Sequence, residues 1–305
     1  MTRRLDAVII GGGPAGISTA IALTHVGRAV AVLERTRYEN VRVGETLPPA
    51  ARGPLGELGV WERFLSDGHI PSSGIVSAWG QPVVYDNDFI FNTYGHGWHI
   101  DRRRFDAMLA RAAETAGVDL HRDARLRSCS QGASGTWQVE AVLGGRPARL
   151  QAEFLVDATG RAAWLAQRQG SRRVVYDRLV GVVGFLPAGS QGQASDLRTC
   201  IEATADGWWY AARLPDRRTV VAYMTDSDLL PKGRRRLLGY WRERLGRSQQ
   251  IARWVGRATG VSELRVAAAQ SARLDRPVGN NWLAVGDAAA AYDPLAGQGV
   301  YSALE

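Results

Sequence analysis

The feature that most constrains this chain is a glycine-rich turn between an apolar run and a helical pattern. Residues 5–10 form a short β-branched run typical of a buried parallel strand, and residues 11–16 read Gly-Gly-Gly-Pro-Ala-Gly directly after it. Residues 15–25 then have the pattern of a helix, and residues 29–33 that of a second strand. A strand, glycine turn, helix and strand in this order predict a dinucleotide-binding fold.

Each residue of the turn has a physical task in such a site. Gly11 allows a tight turn, Gly13 lets the backbone approach a pyrophosphate, and Gly16 allows close packing of helix on strand. Pro14 and Ala15 lead into the helix predicted at residues 15–25, whose N-terminal amides and dipole favour negative phosphates. All five residues are therefore expected to belong to the cofactor site.

An acidic residue ends the second predicted strand. The carboxylate of Glu34 is placed to accept hydrogen bonds from the hydroxyls of an adenosine ribose. We assign the two nearby cations Arg35 and Arg42 to the same cofactor site. The turn and its acidic residue do not by themselves distinguish FAD from NAD.

Composition excludes several other classes of protein. The 305 residues are 45% hydrophobic and 22% charged, as in soluble globular proteins. Cys129 and Cys200 are too few for a disulfide scaffold and lack metal-ligand spacing, which favours a cytoplasmic protein without a metal site. The net charge of +8 comes from arginines spread along the chain without a nucleic-acid motif, so no nucleic-acid partner is expected. Glycines interrupt the apolar start, so stable membrane insertion is not expected either.

Two motifs late in the chain resemble the second flavin motif of the FAD-dependent monooxygenase superfamily. Residues 282–289 read Trp-Leu-Ala-Val-Gly-Asp-Ala-Ala, and residues 293–299 read Asp-Pro-Leu-Ala-Gly-Gln-Gly. The resemblance implies that Asp287, in the first of these motifs, bonds the ribityl chain of FAD. It also implies that the second motif opens a helix facing the flavin pyrimidine edge, where a helix N-terminus stabilises the anionic reduced flavin. Six residues are thereby assigned to FAD: Gly286, Asp287, Pro294, Gly297, Gln298 and Gly299.

Three earlier motifs narrow the resemblance to a subgroup. Residues 154–161 read Phe-Leu-Val-Asp-Ala-Thr-Gly-Arg, a form commoner in the subgroup related to tryptophan halogenases and geranylgeranyl reductases, and it assigns Asp157 and Gly160 to the cofactor. The Gly-Glu-x-x-x-Pro element at residues 44–49 marks halogenases and the maturation flavoproteins that hydroxylate tryptophan. Residues 102–106 resemble an Arg-x-x-Phe-Asp helix start, which implies that Arg102 contacts the adenine side of FAD.

The resemblance implies an α/β fold of the glutathione-reductase type. We expect a discontinuous Rossmann-like FAD-binding domain, formed by residues 1–71, 100–171 and 271–305. An antiparallel β-sheet substrate domain is expected from residues 72–99 and 172–270. Family members continue with further helices, so a C-terminal helical part is expected to be missing from this chain.

Local patterns predict the elements of the substrate domain. Alternating β-branched and aromatic residues predict four strands, at residues 179–185, 198–202, 208–213 and 219–224. A basic amphipathic helix is expected at residues 234–245, on the back of the sheet, and a flexible loop at residues 188–194.

A flavin halogenase needs features that this sequence lacks. Its active-site lysine follows the Gly-Glu element, but residues 47–101 contain none and the only lysine is Lys232. Its glutamate falls in a Pro-Leu-Glu-Ser-x-Gly element, whereas residues 294–299 read Pro-Leu-Ala-Gly-Gln-Gly. The halogenase Trp-x-Trp-x-Ile-Pro signature is also missing, so the sequence argues against halogenation.

The expected activity is that of an FAD-dependent monooxygenase hydroxylating an aromatic or indole-containing small molecule or peptide. In the superfamily the reagent is a flavin C4a-hydroperoxide, so few catalytic side chains are needed. The reductant is NAD(P)H or reduced flavin supplied externally by a partner flavin reductase. A reductase or dehydrogenase of geranylgeranyl-reductase type and a catalytically inert flavin-binding protein stay open as alternatives.

Three residues are catalytic candidates. The resemblance places Glu45 beside the isoalloxazine edge, although it could equally pair with Arg42. His99 lies in a glycine-rich stretch interpreted as a turn, where it either has a structural role or donates a hydrogen bond near the flavin. Trp209 belongs to the aromatic run 208–210, which either lines a substrate pocket or fills the core.

Overall fold

The computed structural model describes residues 4–81, 83–187, 196–256, 260–261 and 264–305. Its helices in chain order are α1 (Pro14–His25), α2 (Arg52–Glu57), α3 (Trp61–Ser66), α4 (Arg102–Thr115), α5 (Trp164–Arg168), α6 (Arg234–Arg247), α7 (Gln250–Val255) and α8 (Tyr301–Leu304). Its strands are β1 (Arg4–Ile10), β2 (Val30–Leu33), β3 (Thr46–Leu47), β4 (Ile70–Ser72), β5 (Gly74–Ala78), β6 (Tyr85–Asp88), β7 (Gly97–His99), β8 (Asp119–His121), β9 (Arg125–Gln131), β10 (Trp137–Leu143), β11 (Arg146–Asp157), β12 (Arg173–Val175), β13 (Leu179–Leu186), β14 (Thr199–Thr204), β15 (Gly207–Arg213), β16 (Thr219–Asp226), β17 (Leu264–Ala268), β18 (Ala272–Leu274), β19 (Val278–Gly279), β20 (Trp282–Ala284) and β21 (Ala290–Ala291).

A largely parallel sheet carries the nucleotide motifs. Its strand order is β19-β20-β11-β1-β2-β8, and β1 pairs in parallel with both β2 and β11. The register sets Ile10 beside Leu33 and Asp157, and Asp157 beside Ala284, so the carboxyl ends of four strands meet at one edge. Ligands of open α/β sheets bind at this edge, which the glycine turn and the motifs containing Asp157 and Gly286 all reach.

A second, seven-stranded sheet confirms the predicted antiparallel sheet. Its strand order is β17-β13-β16-β15-β14-β5-β6, and all its pairings are antiparallel except that of β14 with β5. Each of the four predicted strands is present, as β13, β14, β15 and β16, and the predicted basic helix is α6. The predicted loop at residues 188–194 lies outside the described residues.

The two faces of this sheet have different coverings. On one face Trp209, Tyr223 and Val182 pack against α6 and α7 in a core of their own. The opposite face presents the alternate residues Trp208 and Ala222, with Val183, to a cleft that the parallel sheet also lines. Because side chains alternate along a strand, neighbouring residues of β15 belong to different surroundings.

The stretch around His99 forms a strand, so the interpretation as a glycine-rich turn was wrong. Strand β7 (Gly97–His99) pairs with β3 and β4, and its three residues are buried. Burial of Trp98 and His99 favours ladder hydrogen bonds over a solvated turn. The pairing joins part of the range 72–99 to strands of the range 1–71. The proposed domain boundaries stay a prediction.

Within the part of the chain that the structure covers, no helix is long and apolar enough to cross a membrane.

Candidate functional site

One continuous cleft of about 1030 Å³ lies between the carboxyl edge of the parallel sheet and one face of the second sheet. It brings together motifs from both ends of the sequence. The predicted cofactor residues that line it are Gly11, Gly13, Pro14, Ala15, Glu34, Arg35, Arg42, Arg102, Gly160, Asp287, Pro294, Gly297 and Gly299. Four other predicted residues, Gly16, Asp157, Gly286 and Gln298, do not line it.

The glycine turn has the geometry that its assigned tasks require. Gly11 has a φ of +107°, and a Cβ there would lie 2.3 Å from the carbonyl oxygen of Ala158. A Cβ on Gly16 would lie 2.0 Å from the carbonyl oxygen of Gly11, so helix and strand touch backbone to backbone. By contrast, a Cβ on Gly13 would have the guanidinium of Arg42 as its one neighbour within 4 Å, at 3.9 Å. The turn is therefore closed toward the sheet and open toward the cleft, as a phosphate-binding backbone must be.

Glu34 is buried beside this turn at the end of β2. Its Oε2 accepts a hydrogen bond from the Gly12 amide at 2.8 Å, and its Oε1 accepts one from the Thr36 amide at 2.9 Å. The hydroxyl of Tyr38 donates to the Gly12 carbonyl at 2.9 Å. Oε1 also accepts from the Thr36 hydroxyl at 2.6 Å and from Arg42 at 3.4 Å, so Oε2 is the oxygen with an acceptor position left for a ribose hydroxyl.

Asp106 joins two of the predicted cofactor arginines. Its buried carboxylate accepts hydrogen bonds from Arg42 at 3.1 Å and from Arg102 at 3.1 and 3.3 Å. Arg42 also contacts Glu34 at 3.4 Å, so a chain of charges follows the cleft wall. We had not predicted a role for Asp106, although the Arg-x-x-Phe-Asp motif that contains it was the available signal.

Arg102 lines the cleft beside the segment that carries Glu45. Its guanidinium donates to the Val43 carbonyl at 2.6 Å, and a Cβ on Gly44 would lie 2.8 Å from its Nη1. The predicted contact of Arg102 with the adenine side of FAD stays a prediction. Arg102 holds the segment that carries Glu45, because it donates hydrogen bonds to the Val43 carbonyl in that segment and to the Asp106 carboxylate.

Asp157 does not line the cleft and has a structural task, while its assignment to the cofactor stays a prediction. One carboxylate oxygen accepts hydrogen bonds from the amide and hydroxyl of Thr159 at 3.0 and 2.6 Å. The other accepts from the amides of Leu165 and Ala166 at 2.8 and 2.9 Å, at the start of α5. Asp157 is wholly buried and satisfies free amides that would otherwise lack partners.

The late motifs close the cleft from the C-terminal side. A Cβ on Gly286 would lie 2.7 Å from that of Ala15, so this glycine permits contact with α1 and does not face the cleft. The next residue, Asp287, faces Arg161 at 3.4 Å, and both line the cleft. Arg161 ends the Asp-Ala-Thr-Gly-Arg motif and was missed as a site residue. The carbonyl of Gln298 accepts a hydrogen bond from Ser302 and so helps to start α8.

Glu45 is the one catalytic candidate that lines the cleft. It is 5% exposed, and its Oε2 accepts a hydrogen bond from the Gly44 amide at 3.0 Å. Burial raises the pKa of this carboxyl to about 7, against the opposing effects of the Gly44 amide and the charge of Arg102. The predicted alternative pairing with Arg42 does not form, because Arg42 bonds Glu34 and Asp106.

The other two catalytic candidates lie outside the cleft. His99 is wholly buried, its Nε2 lies 3.0 Å from the Thr199 hydroxyl, and burial lowers its pKa to about 4. Trp209 is also wholly buried, on the far face of β15, with its ring 4.7 Å from Tyr223 and 5.3 Å from Trp241. Both residues therefore serve the fold. Alternation along the strand places Trp208 and Tyr210 in the cleft wall instead.

The cleft fits a flavin dinucleotide. A turn closed behind by Gly11 and Gly16 and open at Gly13 suits a pyrophosphate, and Glu34 suits the adenosine ribose. Asp287 and the turn of Pro294 and Gly297 line the same cleft, where the flavin half would follow. Among the described residues, no group of three or more His, Cys, Asp or Glu side chains could hold a metal ion.

Comparisons with known proteins agree with this geometry. The family model described as FAD binding domain matches residues 4–305. The LodB protein of Marinomonas mediterranea, whose name assigns it provisionally to the FAD-dependent oxidoreductases, is 31% identical over 304 residues, which are 98% of this chain and 81% of LodB.

Two solved structures are similar over almost the whole chain. The myxobacterial chondrochloren halogenase CndH has a TM-score of 0.87 and 26% identity, covering 99% of this chain and 72% of that one. The peptidyl tryptophan dihydroxylase QhpG, described as essential for tryptophylquinone cofactor biogenesis, has a TM-score of 0.79 and 28% identity, covering 99% and 64%. The chain therefore spans less than two thirds of QhpG. From its family match, its fold and its nucleotide cleft together, this chain belongs to the FAD-binding domain family of flavoprotein oxidoreductases.

Proposed function

We propose that this protein is an FAD-dependent monooxygenase that hydroxylates an indole-containing aromatic substrate, as a small molecule or within a peptide. The observation that carries the proposal is the composition of the cleft's two walls. One wall holds the dinucleotide motifs, and the other is the face of the second sheet with Trp208, Tyr210 and Met224. An apolar, aromatic wall facing a redox cofactor suits an aromatic substrate held away from water.

The chain's residues have limited but definite tasks in such a reaction. Bound FAD would supply two-electron chemistry and the activation of dioxygen. The wall formed by the second sheet, the sheet wall, would hold the substrate ring. Thr46 and Tyr210, which share a partly buried hydrogen bond of 2.6 Å, would fix one end of that wall. Similarity to QhpG favours hydroxylation of an indole, and similarity to CndH makes halogenation the main competing reaction. No lysine is found among the described residues that line the cleft, which supports the first of these.

The test is a product analysis with isotopically labelled dioxygen. Protein loaded with FAD is supplied with NADH, NADPH or separately reduced flavin, in buffer containing chloride and bromide. Free tryptophan, indole and a tryptophan-containing peptide are the substrates, and mass spectrometry detects the products. We expect a product that carries labelled oxygen. A halogenated product, an oxygen-free reduced or desaturated product from an added isoprenoid substrate, or no product with any reductant would each overturn the proposal.

A matched pair of variants tests the role of the sheet wall. Trp208 and Trp254 are 7% and 8% exposed, but only Trp208 lines the cleft, because Trp254 packs on the far face of the sheet. We expect Trp208→Leu to lower product formation at least tenfold with FAD retained, and Trp254→Leu to lower stability only. Equal activity loss per folded molecule in both variants would remove the sheet wall from the substrate site.

A further inference from the structure

Glu45 lies in a partition between two cavities. On one side it lines the main cleft, and on the other it lines a small crevice of about 10 Å³ together with Ile100 and Phe185. The crevice is also lined by Arg103 and Arg218, whose side chains are 38% and 31% exposed. A titratable side chain thus stands between the site of chemistry and a crevice that approaches the surface.

The carboxyl of Glu45 is only half satisfied. Its Oε2 accepts a hydrogen bond from the Gly44 amide, whereas its Oε1 is buried and has no hydrogen-bond partner among the described residues. A buried carboxylate without full hydrogen bonding is unfavourable, so the neutral acid is favoured. A protonated Oε1 is a donor that can still turn toward a partner in the cleft.

The charged groups around Glu45 do not neutralise it by direct contact. Arg102 spends its hydrogen bonds on Asp106 and the Val43 carbonyl. Asp101 accepts from Arg103 and Arg104 at the start of α4. From the second sheet, Tyr210 shares its hydroxyl with Thr46, and burial keeps its pKa above the ordinary value. Three further arginines line the crevice, and each has an acidic partner. Arg42 pairs with Glu34 and Asp106, Arg103 pairs with Asp101, and Arg218 pairs with Asp216.

We propose that Glu45 is the proton carrier of this site, taking protons from the crevice and delivering them into the cleft. The proposal rests on the proposed function only in its need for protons. Hydroxylation converts C–H, O₂, NAD(P)H and H⁺ into C–OH, NAD(P)⁺ and H₂O, so each turnover consumes one proton. The O–H bond at Oε1 breaks as an O–H bond of the product H₂O forms in the cleft, and the carboxylate then regains a proton from solvent through the crevice.

The experiment follows proton uptake without any substrate. Oxidation of anionic reduced flavin by O₂ to oxidised flavin and H₂O₂ also consumes one proton, so holoprotein with no substrate suffices. Reduced protein is mixed with oxygenated, weakly buffered solution containing a pH indicator, and proton uptake is followed by stopped flow. We expect at least tenfold slower uptake in Glu45→Gln, partly restored by added acetate or imidazole, in line with general-acid effects of about 100-fold.

Glu202→Gln is the matched control. Glu202 is 6% exposed, lies outside the cleft and accepts hydrogen bonds from three amides at the start of α7. This variant should keep the wild-type rate of proton uptake. Wild-type uptake in Glu45→Gln would overturn the proposal, even if hydroxylation itself is observed. Failure of hydroxylation with slowed uptake in Glu45→Gln would instead overturn the proposed function alone.

A second measurement requires no catalytic turnover, and it does not require that the Glu45→Gln variant folds. Infrared difference spectra of the protein, with and without FAD, should lose one protonated carboxyl band as the pH rises through about 7. That band should shift in Glu45→Asp. Stability should follow the same titration: the folded pKa is raised, so stability from the neutral acid is full below the ordinary carboxyl pKa and lost as pH rises through about 7. Absence of the band from wild type would overturn the proposal.

Discussion

Single atoms decide whether the nucleotide turn can form. The Gly16 Cα faces the Gly11 carbonyl so closely that a methyl group would overlap it at 2.0 Å. This obstacle is backbone, which cannot swing away as a long side chain can. The closeness is what brings the start of α1 to the edge of the sheet.

We predict that Gly16→Ala lowers the free energy of unfolding by about 3 kcal/mol and abolishes FAD retention. Chemical denaturation and the visible spectrum after gel filtration measure the two effects. Gly239→Ala is the control, since Gly239 is exposed within α6 with nothing within 4 Å of its added Cβ. That variant should gain about 0.5–1 kcal/mol from helix propensity. Retained FAD in Gly16→Ala would show that the close approach is dispensable.

Removing one buried charge should loosen the arginines that line the cleft. Asp106 is 2% exposed and holds both Arg42 and Arg102. We expect Asp106→Asn to cost about 3 kcal/mol of stability and to weaken FAD binding, because two partly buried cations lose their counter-charge. Asp228, in an exposed pair with Arg178, is the control, and Asp228→Asn should change stability by less than about 1 kcal/mol. Equal costs in the two variants would contradict this account.

At the scale of elements, β15 divides its aromatic residues between two tasks. Trp209 faces α6 and α7, whereas Trp208 and Tyr210 face the cleft. We predict that Trp209→Ala lowers stability by about 3–5 kcal/mol by leaving a cavity in that core. The dissociation constant for FAD of the folded fraction should stay unchanged, as measured by fluorescence titration well below the melting temperature. A large change in that constant would mean that the two faces of the sheet are coupled.

The sequence predicted elements better than it predicted the direction of side chains. The β1–turn–α1 unit and the four strands β13 to β16 follow from local patterns of apolar residues and glycine, so their existence was readable. Which face of β15 lines the cleft depends on where α6 packs. The alternation of side chains along the strand shows that there are two faces, but it does not reveal which of them α6 covers. Asp157 illustrates the same limit. An acidic residue after a parallel strand can bind a ligand or cap the following helix. Which of the two it does depends on whether backbone amides of that helix reach its carboxylate, as those of Leu165 and Ala166 do here, and this is known only from the folded structure.

At the scale of the whole molecule, the cleft joins distant parts of the chain. Gly11 and Glu34 come from the start, Asp287 and Gly297 from the end, and Tyr210 from the second sheet. A ligand that fills this cleft binds only the complete fold. It should therefore stabilise the molecule as a unit, and not a single element.

We predict that added FAD raises the stability of the purified chain in proportion to its occupancy. At a free concentration of one hundred times the dissociation constant, the expected gain is about 2.7 kcal/mol. A thermal unfolding series against FAD concentration measures it, with adenosine monophosphate as a control that reaches only the adenosine end. A melting temperature independent of FAD, together with a colourless protein after gel filtration, would contradict the assignment of the cleft.

The position of β20 has a consequence for how the protein is made. This strand, Trp282–Ala284, completes the parallel sheet beside β11, a strand that ends at Asp157. A ribosome releases β11 long before it releases its neighbour, so that edge of the nascent sheet stays open while more than a hundred residues follow. Open strand edges attract other chains, which makes this interval the one in which chaperone cover matters most. FAD can therefore fill the cleft only after residues 282–299 have been synthesised, because Asp287 and Gly297 line one of its walls.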